Sequence, residues 1–169
     1  MLILRPTRKL QRSLPVSADV DAESDTALGD WYVNRIVVDR KPLLLLLSAK
    51  SLLPILTPAR EVRSLPDRLP ELVSGRLESL GVSSSVIEQE VSAMSPIAIA
   101  PTVNRSVLGI MVDFAKLIPH YVDRIGWHPE TLSVLEAQLE DNPCHAGSRN
   151  TVFPNQKAPD LLTQRWLVH

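Results

Sequence analysis

The 169-residue sequence holds one cysteine, Cys144, so no disulfide can close within the chain. A fold that forgoes such staples belongs in a reducing compartment, and the cytoplasm is the expected location. An excess of charge of either sign is also missing. Eighteen basic residues stand against nineteen acidic ones, and a formal net charge of -1 leaves no overall field to draw nucleic acid or anionic lipid. The leucine run at 43–47 is five residues long, whereas a membrane span needs ~20 apolar residues. Lys41 and Lys50 flank it closely. It reads as a strand buried on both faces, with no membrane association. Arg5, Arg8, Lys9 and Arg12 break up the start of the chain without an apolar stretch after them, which argues against a secretory signal.

The common chemical signatures are absent as well. No G-x-G-x-x-G, G-x-x-x-x-G-K-[ST] or G-x-S-x-G occurs, which removes the usual nucleotide and hydrolase motifs. The four histidines, His120, His128, His145 and His169, show no i, i+4 pair, and adjacent Cys144-His145 is not zinc-finger spacing. Sequence neighbours rarely make a nucleophile–base pair, so Cys144 reads as a plain cysteine. No metal and no cofactor is expected.

What is present describes a globular domain. Hydrophobic residues make up 44% and charged residues 22%, an ordinary mix for a folded chain. A chain of this size buries roughly 70% of the surface it exposes when unfolded, enough to hold a core unaided. Charge is uneven locally. Residues 1–18 carry four basic side chains and no acid, and 19–30 carry five acids and no base, so the two stretches are expected to lie close and partly neutralise.

The periodicity predicts an α+β fold, a single domain with a mixed or antiparallel sheet. Met1–Arg5 reads as a strand, and Thr7 as the cap of a short basic helix. Residues 15–30 read as a mobile surface loop. Aromatic and β-branched residues at 31–39, a turn at Asp39-Arg40-Lys41-Pro42 and the run at 43–49 make a central hairpin. Leu52–Leu56 follows as a strand that Pro54 confines to an edge or bulge. Helical stripes then predict helices near 69–80, 85–94 and 106–118, the second with a Ser85–Glu88 capping box and with a short strand at 97–100 after it. Val107, Met111 and Phe114 should be among the most buried side chains. A helix at 130–140, an irregular crossing at 141–159 and an amphipathic end near 161–167 complete the chain. Residues 1–125 are expected to form the α+β core, with 126–169 as a C-terminal extension packed on the same domain.

Two clusters could carry chemistry. Asn104, Arg105 and Ser106 stand at a helix start, where free N–H groups and the helix dipole favour an anion, and Asp113 lies two turns further on. Arg105 offers a planar fork of donors. The competing reading makes Arg105 a clasp on an acid of the 19–30 loop, Ser106 only a cap, and Asp113 the partner of Lys116; the clasp is the one adopted. The second cluster is Trp31, Asn34, Asp39 and Arg40. Asn34 shares a strand face with Tyr32, Ile36 and Val38, so its amide needs a partner and either ties strands or lines a pocket. Trp31 shares the opposite face with Arg35.

Together, Trp31-x-x-Asn34, the following Asp39-Arg40-Lys41, and Asn104-Arg105-Ser106-Val107-Leu108-Gly109-x-Met111-x-Asp113-Phe114 resemble a family of small bacterial proteins of unknown function, often met on plasmids and mobile regions. The resemblance spans residue 1 to about 120. The family pattern has Asn where this chain has Val112, and a Lys near Pro101. The resemblance implies a compact α+β domain and a bacterial source, and no established activity.

The function expected on these grounds is a non-enzymatic accessory role with a protein partner or self-association. The alternative is a small enzyme or ligand-binding protein for a phosphorylated compound or nucleic acid, using Arg105, Ser106, Asn34 and Asp113.

Overall fold

Five consecutive leucines become intelligible once the strands are laid side by side. A computed structural model describes residues 1–60, 62–145 and 151–167. Its strands are β1 (Leu2–Pro6), β2 (Trp31–Val38), β3 (Lys41–Ser48), β4 (Pro54–Pro58) and β5 (Ile97–Ile99), in the sheet order β4-β3-β2-β1-β5. β2, β3 and β4 run antiparallel, whereas β1 is parallel to both β2 and β5. The sheet is therefore mixed, and β3 lies inside it. Successive side chains of β3 enter opposite faces: Leu44 and Leu46 one core, Leu43, Leu45 and Leu47 the other. Each fully buried leucine stabilises by roughly 1.5–3 kcal/mol.

Helices cover both faces. On the first lie α1 (Leu65–Ser79), α2 (Ser84–Ala93) and α5 (Pro154–Trp166), with Leu69, Val73, Leu77, Ile87 and Leu162 packed on Trp31, Val33 and Leu44. On the second lie α3 (Arg105–Ile125) and α4 (Thr131–Glu140), with Met111, Phe114, Ile118 and Leu135 packed on Tyr32, Leu45 and Leu47. Val107, Met111 and Phe114 are 1–2% exposed. The expected α+β hairpin fold is what forms, with β4 at an edge as Pro54 requires.

Several local expectations give way to tertiary contacts. The basic segment after β1 makes only a 3₁₀ turn, Arg8–Leu10, because the Thr7 hydroxyl is not a cap but donates to Asn34 Oδ1 at 2.8 Å. α2 starts one residue before the expected capping box, after Ser83, and without a side-chain cap. α3 runs on through Pro119 to Ile125, since Val122 continues its buried stripe. α5 starts at Pro154, whose fixed φ suits a first turn, so the irregular crossing is shorter than expected; its residues 146–150 lie outside those described.

The 15–30 loop is tied down rather than mobile. Thr26, Ala27 and Leu28 are buried, and Glu90 of α2, 1% exposed, accepts the Ala27 and Leu28 N–H groups at 2.9 and 3.1 Å. Trp166 of α5 donates its indole N–H to the same carboxylate at 2.7 Å. Among the described residues two ion pairs join the basic and acidic stretches, Arg5 with Asp30 at 2.6 Å and the Met1 amino group with Asp25 at 3.1 Å. Arg8, Lys9 and Arg12 stay exposed and make no ion pair among the described residues.

Candidate functional site

The residues singled out from the sequence do not gather in one place. Trp31 is 1% exposed and belongs to the first core, on the far side of the sheet from α3. Arg35 shares its face but is exposed. Asn34 does tie structure together, through Thr7. Asn104 caps α3, accepting from the Ser106 and Val107 N–H groups at 2.9 and 3.2 Å, while its own N–H donates to the Tyr32 hydroxyl at 3.0 Å. Arg105 is exposed and forms no ion pair among the described residues, so it is not the clasp. Asp113 is exposed and does not pair with Lys116.

The clasp is Arg5. Its Nε donates to Asp30 at 2.6 Å, Nη1 to the Pro101 carbonyl at 2.6 Å, and Nη2 to the Val20 and Ala22 carbonyls at 3.1 and 2.8 Å. The side chain is 3% exposed, so these bonds fix the acidic loop to the sheet. A second buried arginine, Arg76 of α1, sits at the outer edge of β4. Nε donates to the Pro54 carbonyl at 2.8 Å, Nη2 bonds Glu140, and Glu136 lies 3.7 Å away. Glu136 in turn accepts the Leu56 N–H at 2.8 Å. Burial raises its pKa above the ordinary value, Arg76 and the Leu56 N–H oppose that, and Glu140 adds to it.

Cys144 is buried, and its thiol is pushed up to about 11 by burial first and by the charge of Asp113 second. It is a protonated thiol at neutral pH, unsuited to attack as a nucleophile. Among the described residues, no three His, Cys, Asp or Glu side chains are placed to hold a metal; His169 lies outside them. No helix among them is long and apolar enough to cross a membrane.

The part of the molecule best suited to binding is the tip of the β2–β3 hairpin. The two-residue turn has Asp39 at φ 50° and Arg40 at φ 65°. Positive φ at both positions suits the twist of a tight hairpin, yet neither residue is the glycine or asparagine that takes it without strain. The turn is braced from the α3–α4 connection: Trp127 donates its indole N–H to Asp39 Oδ2 at 2.9 Å, and Lys41 Nζ stands 5.3 Å from the centre of the Trp127 ring. That connection is itself fixed. Gly126 takes φ 68°, the Thr131 hydroxyl donates to the Gly126 carbonyl at 2.9 Å, and the His128 N–H donates back to that hydroxyl at 2.8 Å.

Between hairpin, β4 and this connection lies a cavity of about 470 Å³. Leu43, Pro58, Trp127 and Leu132 make its walls apolar, and Lys41, Arg60 and His128 stand around it. No carboxylate lines it among the described residues. The Glu130 N–H donates to His128 Nδ1 at 3.3 Å, so a neutral ring carries its proton on Nε2 and offers a further donor. Thr131, the one hydroxyl in the lining among the described residues, is committed to Gly126. The arrangement can hold an anion next to an apolar group. Of its parts the sequence drew attention only to Asp39-Arg40-Lys41. Trp127 and His128 carry a local signal, an aromatic pair set between Gly126 and Pro129, but nothing local ties them to the hairpin.

A family model described as Domain of unknown function (DUF6933) matches residues 3–157. No curated protein and no solved structure matches the chain.

Proposed function

We propose, for a chain that belongs to the DUF6933 family of unknown function, that it is a non-enzymatic interaction protein of the bacterial cytoplasm whose hairpin tip contacts an acidic protein partner. The observation that carries this is a mixture. Arg40, Lys41 and Arg60 are exposed and form no ion pair among the described residues, while Val37, Pro42 and Pro58 expose apolar surface between them. Interfaces with proteins combine an apolar centre with a charged rim, whereas phosphate backbones meet surfaces that are more uniformly polar and basic. An accessory role also accords with the resemblance to proteins carried on mobile regions.

Arg40 supplies the test. A non-glycine residue in the left-handed region costs roughly 1–2 kcal/mol, so the turn retains an arginine against its own conformational preference. Arg40→Gly relieves that strain and offsets the ~0.5–1 kcal/mol of extra chain entropy that glycine loses on folding. We expect an unchanged or raised thermal midpoint together with weaker, less salt-dependent binding of blocked Asp/Glu hexapeptides, measured by calorimetry. Equal binding by parent and variant would remove the hairpin tip as the contact surface.

A further inference from the structure

We infer that the cavity at the hairpin tip seats one apolar side chain of an acidic segment, with the carboxylates flanking that anchor held by Lys41, Arg60 and His128. This rests on the reading of the tip as the contact surface for an acidic partner, and adds to it the pocket that selects among acidic segments. The volume of about 470 Å³ lies in the range of sites that enclose a ligand group, and Leu43, Pro58 and Leu132 give it apolar walls. Such walls contribute only when filled by apolar atoms. Lys41 and Arg60 supply the complement as cations and His128 as an Nε2 donor, around a lining in which the described residues place no acid. The carboxylate of the turn, Asp39, is engaged with the Trp127 indole N–H.

The same contacts disfavour a nucleotide base as the occupant. Bases bind by stacking on open aromatic faces. Trp127 is the large aromatic ring in the cavity wall, and Lys41 already stands over that ring at 5.3 Å. A peptide needs no stacking face. Its anchor enters between Pro58 and Leu132, and its carboxylates reach Lys41 and Arg60 with charge-assisted hydrogen bonds. Anchors that fill a pocket beneath a charged rim carry most of the energy of such contacts.

The experiment uses the full chain and two blocked hexapeptides of Asp and Glu, one with leucine at its centre and one with serine, titrated at low salt. The leucine peptide should bind about tenfold more tightly, the ratio expected when an apolar side chain leaves water. Leu132→Ser, checked for an intact fold by its circular dichroism, should erase that ratio and leave the serine peptide unchanged. Lys41→Gln, an exposed position that does not threaten the fold, should weaken both peptides alike. Equal binding of the two peptides overturns the anchor pocket while the acidic contact surface stands. Failure of both to bind overturns that surface and the pocket with it. Tighter binding of an oligouridylate of equal charge, competing with the leucine peptide, overturns the peptide in favour of nucleic acid.

Discussion

At the scale of single residues, two arginines that could have bound the acidic loop have opposite roles. From residue type and charge alone, a clasp between an arginine and the acidic loop is expected at Arg105. The clasp forms with Arg5 instead. Residue type and local charge do not separate the two. The difference arises because Arg5 lies on β1, whose place between β2 and β5 turns that side chain under the loop. Arg105 follows the cap of α3 and points to water. The consequence is measurable as a contrast. Truncating Arg5 to alanine leaves Asp30 with the Ser24 hydroxyl but without its charge partner, and three carbonyls without their Arg5 donors; a broken buried pair costs ~3–5 kcal/mol. Arg105→Ala should stay within about 0.5 kcal/mol of the parent, as exposed substitutions do. Denaturant midpoints decide it: similar losses in both variants would show that Arg105 has a structural role.

At the scale of elements, strands and helices follow from periodicity, and their capping does not. The β2–β3 hairpin is legible because aromatic, β-branched and leucine-rich runs flank a polar turn, and α3 because its apolar stripe repeats from Val107 to Ile118. The expected cap at Thr7 and the box at Ser85–Glu88 fail because side-chain partners from distant strands and shifted helix starts compete with local bonds. The pairing of α4 with β4 through Glu136 has no local signal either, since Leu56 and Glu136 are 80 residues apart. It does carry a pH signature. The folded state raises the pKa of Glu136 above its ordinary 4.5, chiefly by burial, so folding favours the protonated carboxyl. The stabilisation linked to this group is complete below that ordinary value and is lost as pH rises through the raised one. Glu136→Gln removes this dependence. The stability of the parent relative to the variant should therefore fall as pH is raised from about 4.5 to neutrality. Parallel stability–pH curves would place the burial of Glu136 in doubt.

At the scale of the whole molecule, the sheet order is the part least accessible to sequence reasoning. A hairpin announces itself locally, but β1 and β5 meet across the intervening chain, in parallel, and only the completed core selects that pairing. The same order decides which edges face outward, and both are closed. On β5, Ile99 donates its N–H to Ser17 Oγ at 3.0 Å and accepts from the Ser17 and Ala18 N–H groups at 2.8 and 2.9 Å. On β4, Pro54 and Pro58 have no N–H to offer, Glu136 takes the Leu56 N–H, and Arg76 takes the Pro54 carbonyl. Side chains thus stand where a neighbouring strand would bond, which is how exposed edges are kept from pairing with other chains. Strand pairing through the sheet edges is therefore disfavoured in the parent, which should show no edge-driven growth of larger species with concentration in light-scattering chromatography. Opening the edge should change that. Pro58→Thr restores a donor, Glu136→Ala frees the Leu56 N–H, and both leave Arg76 paired with Glu140. The double variant should form dimers or larger species whose share grows with concentration, with added strand signal in its circular dichroism. A double variant that keeps its fold and remains monomeric would show that the molecule stays single for a reason other than its guarded β4 edge.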